Sequence, residues 1–200
     1  MTVYDADHFL SEAIESVPVQ ETRRTWELLI VDDGSTDSSR DTAQRYASRY
    51  PEQVRVLQHA FGRNLGISSS RNVALRHARG ARLAFLDSDD VWLPHHCETL
   101  AGVLKYDPDL AMVYGAAGRW VSHDLPFDDS ASRAASWGCN YLPPLLPAGQ
   151  QGGILPPGRL IDWFSADQSL CPCICSIMVT AEAALAVGGF CDAFRGLYDD

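Results

Sequence analysis

Short apolar runs that stop abruptly at polar loops, each followed by an amphipathic stretch, recur from residue 7 to about residue 105 and leave this chain few folds to choose from. Trp26–Val31 ends at Asp32-Asp33-Gly34-Ser35, Val54–Leu57 is the next run, and Arg82–Leu86 ends at Asp87-Ser88-Asp89-Asp90. Runs this short and this apolar are buried parallel strands, covered on both faces. Between them the helical period holds. Phe9, Leu10, Ala13, Ile14 and Val17 share one face behind an acidic N-cap at Asp7. Ala43, Tyr46, Ala47 and Tyr50 share the inner face of a helix capped by Ser38 and stopped by Pro51. Ile67–Ala78 and a segment opened by Pro94 and reaching Lys105 complete the series. The alternation calls for an α/β fold, a parallel sheet with helices on its faces. Ligands of such sheets bind beyond the carboxyl ends of the strands, where both acidic clusters fall.

Charge narrows the functional classes. Sixteen Lys and Arg against 26 Asp and Glu leave a net charge of −10, which disfavours a non-specific grip on nucleic acid. A phosphate-bearing ligand would need a metal ion or a local arginine beside it. No apolar stretch approaches the ~20 residues that cross a bilayer, and Met1–Asp5 has neither the basic nor the apolar region of an export signal. Cytosolic residence is expected, and with it reduced thiols at the six cysteines. Cys171, Cys173 and Cys175 match no paired zinc-ligand spacing and read as small core side chains. His95 and His96, adjacent at a helix start, cannot face one metal and read as solvated. Gly62–Gly66 lacks the spacing of a dinucleotide fingerprint, which argues against a Rossmann dehydrogenase.

After Met112–Gly115 the pattern changes. Residues 123–158 hold most of the prolines with scattered Gly, Ser and aromatics, a long irregular loop of the kind that forms binding loops or lids. A short helix near Arg159–Phe164, a strand over Ser176–Val179 and a helix over Ala181–Val187, capped by Thr180 and ended by Gly188-Gly189, are expected beyond it.

Nineteen of the 26 acids are Asp, so the Asp-x-Asp triplets at 5–7, 87–89 and 107–109 are close to what composition alone produces. Position separates them. Only Asp87–Asp90 follows a buried strand, whereas Asp7 reads as a cap and Asp107-Pro108 as a turn. A hard divalent cation takes one or two carboxylates together with phosphate oxygens and water. A strand-end carboxylate, Asp89 first, meets that need. An acidic turn that only caps the next helix is the competing explanation.

Four motifs occur in order: Val31-Asp32-Asp33-Gly34-Ser35-Thr36-Asp37, Gly66-Ile67-Ser68-Ser69-Ser70-Arg71-Asn72, Phe85–Asp90, and Gly188-Gly189-Phe190 through Phe194–Asp200. Together, over nearly the whole chain, they resemble the family 2 glycosyltransferases, inverting enzymes of the GT-A fold. Thr2-Val3-Tyr4-Asp5 resembles the segment just after that family's first strand. The resemblance implies a GT-A-type, Rossmann-like, mostly parallel sheet flanked by helices. It implies one domain over residues 1–200, with a nucleotide-sugar-binding half at 1–117 and an acceptor-side half at 118–200 that carries the loop 123–158. By the same resemblance Asp33 accepts a hydrogen bond from uracil, Thr2 and Tyr4 line the base pocket, and Arg71 lies near the nucleotide. Asp87 falls near the ribose and Asp89 on an Mg²⁺ or Mn²⁺ ion at the diphosphate. Asp200 takes the place of the general base, and Asp199 stands where many relatives have Glu.

The chemistry agrees with those assignments. Breaking a sugar C1–O bond leaves a nucleoside diphosphate whose added charge a cation and Arg71 would offset, while an acceptor hydroxyl loses its proton as it attacks from the opposite side. The implied partners are a nucleotide-sugar donor, UDP-linked first, and a saccharide, lipid-linked or protein acceptor, with no nucleic acid. The implied place is the cytoplasm or the inner face of the membrane. Trp137 and Tyr141 are candidates to stack on an acceptor, while Trp120, Trp163 and Phe164 fit a core role equally well. Relatives start with a full apolar strand and continue past the base into a helix, so the chain reads as shortened at both ends. A truncated domain that binds nucleotide without turnover is therefore an alternative. A haloacid-dehalogenase-type phosphatase built on Asp87 and Asp89 is another, although it expects Gly-Thr where Asp90-Val91 stands.

Overall fold

The structure, a computed structural model, describes residues 1–115, 117, 161–162, 165 and 172–193. Its first sheet is parallel throughout. β1 (Thr2–Val3), β2 (Leu28–Asp32) and β3 (Val54–Gln58) lie in the order β1-β2-β3, with Thr2 opposite Val31 and Leu28 opposite Val54. All five residues of β2 are buried. That is why Leu28–Val31 form an unbroken apolar run: a central parallel strand has no solvent face. α1 (Asp7–Glu15) connects β1 to β2, α2 (Ser39–Arg49) connects β2 to β3, and α3 (Ile67–His77) follows β3. α1 buries Leu10, Ala13 and Ile14, the stripe expected of an amphipathic helix. On α2 the buried set is Ser39, Thr42 and Ala43, and the expected inward Tyr46, Ala47 and Tyr50 are only half-buried. The Tyr46 hydroxyl instead donates to Glu15 Oε1 at 2.7 Å, tying α2 to α1. Burial and that carboxylate push the Tyr46 pKa above its ordinary value.

The second sheet has the order β4-β6-β5, formed by β4 (Arg82–Ala84), β5 (Met112–Tyr114) and β6 (Ile177–Thr180). Here β4 runs antiparallel to β6, with Arg82 opposite Thr180. α4 (His96–Tyr106) packs Leu100, Ala101 and Leu104 against Met178, with Ala84, Cys97, Leu110 and Val113 around them. α5 (Ala181–Ala186) begins where expected, and Thr180 Oγ1 accepts the Ala183 amide at 3.2 Å. The strand expected over residues 82–86 is shorter than its apolar run. Its ladder stops at Ala84, and the chain continues through Phe85 and Leu86 to a single parallel bridge between Asp87 and Thr2. That bridge sets the end of β4 beside the end of β1.

Contacts divide the chain into two compact units, residues 1–113 with 177–200 and residues 114–176. Within the latter, the Gly115 amide donates to the Ser176 carbonyl at 3.0 Å, and residues Ile174–Ser176 form a 3-10 turn. The expected loop 123–158, Trp120, Trp137, Tyr141, Trp163 and Phe164 lie outside the described residues. The start of α4 corrects one expectation. His95 is exposed, but His96 stacks on Trp92 with ring centroids 4.9 Å apart, and burial lowers its pKa below 6.5. Burial likewise pushes the neighbouring Cys97 thiol up to about 11.

Helix capping departs from the sequence expectation by one loop. α1 starts at Asp7 itself, after Ala6, and neither Ala6 nor Ser38 caps its helix through a side chain. The acceptor is Asp37. Its Oδ2 takes the Asp7 amide at 3.0 Å and its Oδ1 takes the Ser39 amide at 2.9 Å, so one carboxylate serves the first turns of α1 and α2. The contacts are reciprocal. Asp5 Oδ1 accepts the Thr36 amide at 2.6 Å, Ser39 Oγ accepts the Ala6 amide at 2.8 Å, and the Ser38 hydroxyl donates to Asp7 Oδ2 at 3.1 Å. Two strand-end loops about thirty residues apart are thereby stapled side by side.

Burial alone would raise the Asp37 pKa, but hydrogen bonds from Ser39 and Asp7 outweigh it and hold the carboxyl below 3.8. A depressed carboxylate pKa contributes stability that is present above the ordinary value and lost as pH falls through the folded one. Asp37→Ala should therefore cost about 1–2 kcal/mol in urea unfolding at neutral pH. Asp37→Asn should shrink the loss of stability on acidification below pH 3.8, and an unchanged acid limb would show that the carboxylate does not cap these helices.

Candidate active site

β2 delivers Asp32 and Asp33 to the carboxyl edge of the first sheet, and the turn after them is built to hold a carboxylate. Asp32 Oδ1 accepts the Ser35 amide at 3.0 Å and closes the turn. Gly34 sits at φ +85°, and a Cβ there would lie 2.8 Å from the Gly62 carbonyl oxygen and 2.9 Å from the Asn64 nitrogen. Only glycine lets the 62–64 loop come this close. That approach brings the Leu65 and Gly66 amides onto Asp33, at 2.8 Å to Oδ1 and 2.9 Å to Oδ2. Asp33 thus lies at the N-terminus of α3, where first-turn amides need acceptors and the helix dipole favours negative charge.

His59, which no motif singled out, completes this arrangement. Its Nε2 lies 3.2 Å from Asp33 Oδ1 and 2.8 Å from Ser70 Oγ, and the His59 and Asp33 side chains are 5% and 6% exposed. The available signal was positional: His59 directly follows β3, at the same strand edge that singled out the aspartates.

The other expected residues collect around that edge. Val3 accepts the Asp33 amide through its carbonyl at 2.8 Å, which places β1 beside the Asp33 turn. Thr2 is buried within β1, and Tyr4, just past it, is 52% exposed. Asp87 pairs with Thr2 through the backbone bridge. Arg71, from α3, donates through Nη2 to Asp87 Oδ1 at 2.8 Å. Asp89, two residues on in an exposed turn, has no hydrogen-bonded or charged partner among the described residues. Thr2, Tyr4, Asp33, Arg71, Asp87 and Asp89 therefore border the ends of β1, β2 and β4. Asp199 and Asp200 lie outside the described residues.

A cavity of about 810 Å³ opens between β2 and β4, lined by Leu28, Leu29, Ala74, Leu75, Leu83 and Phe85 among others. Arg71 and Thr2 reach it, but Asp33, Asp87 and Asp89 do not line it. These three carboxylates do not open into this cavity, so the carboxylate edge and not this cavity is the candidate site.

The chain is similar in sequence and fold to known glycosyltransferases. Over 115 residues the chain is 32% identical to the UDP-Glc:alpha-D-GlcNAc-diphosphoundecaprenol beta-1,3-glucosyltransferase of Escherichia coli, a match covering 58% of this chain and 43% of that enzyme. A mannosyltransferase from Pyrobaculum calidifontis, solved with GDP-Man and Mn²⁺, superposes on 56% of this chain and 33% of its own, with a TM-score of 0.52 at 24% identity. The glucosyl-3-phosphoglycerate synthase of Mycobacterium tuberculosis, solved with Mn²⁺, UDP and glucosyl-3-phosphoglycerate, covers 90% of this chain and 55% of its own. Its TM-score is 0.52 at 16% identity. These structures share the GT-A glycosyltransferase fold with this chain, which spans about half the length, or less, of curated relatives that it matches. The sequence model of glycosyl transferase family 2 matches residues 1–127, well over half the chain, and sets the phosphatase alternative aside. The chain belongs to glycosyl transferase family 2.

Proposed function

We propose that this chain carries the donor site of an inverting glycosyltransferase that moves a sugar from a nucleotide diphosphate, UDP first, to an acceptor hydroxyl with the help of a divalent cation. The observation that carries this reading is the gathering of Thr2, Asp33, the Arg71–Asp87 pair and the exposed Asp89 along one strand edge. Asp33 Oδ2 accepts a single amide and keeps a lone pair for the imide N–H of uracil, with Thr2 and Tyr4 beside the base. Arg71, anchored at one nitrogen by Asp87, presents its other N–H groups to the diphosphate, near a ribose on Asp87.

The donor set fits a cation. Asp87 is committed to Arg71, whereas Asp89 offers an exposed carboxylate with no partner among the described residues, and hard cations take few carboxylates when phosphate oxygens complete the shell. Asp89 would hold Mg²⁺ or Mn²⁺, which when bound offsets charge on the leaving diphosphate. Two structural neighbours solved with Mn²⁺ support this choice. The C1–O bond to the diphosphate breaks as the acceptor oxygen bonds C1 from the opposite face, and the hydroxyl proton passes to Asp200, or to the adjacent Asp199. A single displacement of this kind inverts the anomeric centre.

The acceptor reading follows from the Escherichia coli relative, whose name gives a diphosphoundecaprenol-linked sugar. The corresponding proposal for this chain is a lipid-linked saccharide acceptor, used in the cytoplasm or at the inner face of the membrane. No helix among the described residues is long and apolar enough to cross a membrane.

Calorimetric titration of UDP with and without Mn²⁺ tests the donor site. Mn²⁺ should tighten UDP binding, and Asp89→Ala should abolish that gain; a variant with undiminished affinity for Mn²⁺–UDP would remove Asp89 as the ligand. UDP release from UDP-sugars then separates a transferase from a domain that only binds. Asp200→Asn should retain donor binding while turnover drops about 10²-fold or more, and an equal loss in both measurements would make Asp200 a structural residue.

A further inference from the structure

The geometry points to Phe190 as a positioning residue that aims the Arg71 guanidinium, with Asn72 as the clamp that fixes Phe190. Arg71 and Asn72 are consecutive on α3, and both engage a segment that lies more than a hundred residues later in the chain. The Arg71 guanidinium carbon sits 5.4 Å from the centre of the Phe190 ring, within cation–π range. Phe190 is in turn braced by Phe85 in a T-shaped contact, with centroids 5.3 Å apart and planes at 85°. Asp87 holds one Arg71 nitrogen and Phe190 covers the guanidinium, so a long side chain that would otherwise sample many rotamers has two fixed neighbours.

Phe190 is itself held by its backbone on both sides. The Phe190 amide donates to Asn72 Oδ1 at 2.8 Å, and Asn72 Nδ2 donates to the Phe190 carbonyl at 2.8 Å and to Asp192 Oδ1 at 2.9 Å. A carboxamide can accept from an amide through its oxygen while its nitrogen donates to a carbonyl. Asn72 itself is 8% exposed, and its bonds to Phe190 and Asp192 are part-buried. The preceding glycine is shaped to the clamp. Gly189 lies at φ +77°, and a Cβ there would fall 2.5 Å from Asn72 Oδ1, so any other residue would push the carboxamide off Phe190.

A staple whose purpose was only to fasten α5 and the following turn to α3 would need the backbone bonds alone. Here the fastened residue lies against Arg71, the cationic side chain that the proposed function places at the diphosphate. The inference rests on that reading of Arg71, and it adds a division of labour: Asp87 restrains the guanidinium from the strand edge, while Asn72 and Phe190 restrain it from the chain's later segment.

Two measurements test it. With UDP and uridine as probes, Phe190→Leu and Asn72→Ala should each weaken UDP binding about 3–10-fold, the range of a partly desolvated cation–π contact, and leave uridine binding unchanged. In an Arg71→Ala background neither substitution should weaken UDP binding further. Equal loss for uridine, or additive loss in the double variants, would make Phe190 structural and overturn the inference. The second measurement needs no ligand. The Arg71 Nε–Hε resonance of the unliganded protein, identified by its disappearance in Arg71→Lys, should carry a ring-current shift that collapses in Phe190→Leu and in Asn72→Ala. A resonance that does not move overturns the inference. Should the parent chain bind no UDP, the donor-site reading fails by itself, and the resonance still decides whether Phe190 positions Arg71.

Discussion

A carboxylate that accepts backbone amides, from its own turn or from a neighbouring loop, is the interaction on which this structure depends. Asp5 takes the Thr36 amide, Asp37 takes those of Asp7 and Ser39, Asp32 takes that of Ser35, and Asp33 takes those of Leu65 and Gly66. Parallel strands end side by side and launch their helices from the same edge, so unsatisfied first-turn amides crowd together there. A short anionic side chain meets two of these donors at once and gains from the helix dipoles as well. The same bonds fix the loops that form the site, so stability and site geometry are one construction at this edge.

That use of aspartate sorts the acids in a way that bears on chemistry. Carboxylates surrounded by amide donors hold the scaffold; Asp87 is spoken for by Arg71; Asp89 projects into solvent. In a chain of net charge −10, a diphosphate can settle only where positive charge is concentrated. α3 provides the setting. Its N-terminus supports Asp33, its Arg71 meets the end of β4, and its Asn72 reaches the turn after α5. One helix therefore joins Asp33, the Arg71–Asp87 pair and the segment around Phe190.

The layout of the first half was legible because burial leaves a strong imprint on sequence. β2 is enclosed on both faces and is apolar from Leu28 to Val31, and α1 must show an apolar stripe, so both elements were readable from pattern. The cap at Thr180 was legible too, since a β-branched hydroxyl before an alanine-rich stretch has little else to do. Asp37 as a double cap was not. Its two partners belong to helices that are neighbours only after the strands pair, and sequence proximity favoured Asp7 and Ser38 instead. His59 was hidden for the same reason. A lone histidine has no pattern, and its role exists only once β3 places it against Asp33 and Ser70.

By itself the sequence determined the class of the fold, the edge at which acids gather and the family, because those follow from local periodicity and from motifs whose order along the chain is sufficient to recognise. Tertiary structure decided which acid does what. Asp33 and Asp37 became amide acceptors, Asp87 became the partner of an arginine and Asp89 stayed open, although all four look alike as letters. The pairing of Asn72 with Phe190 belongs to the same category. A hydrogen bond across more than a hundred residues is set by where two backbones meet, and the distance along the chain carries no trace of it.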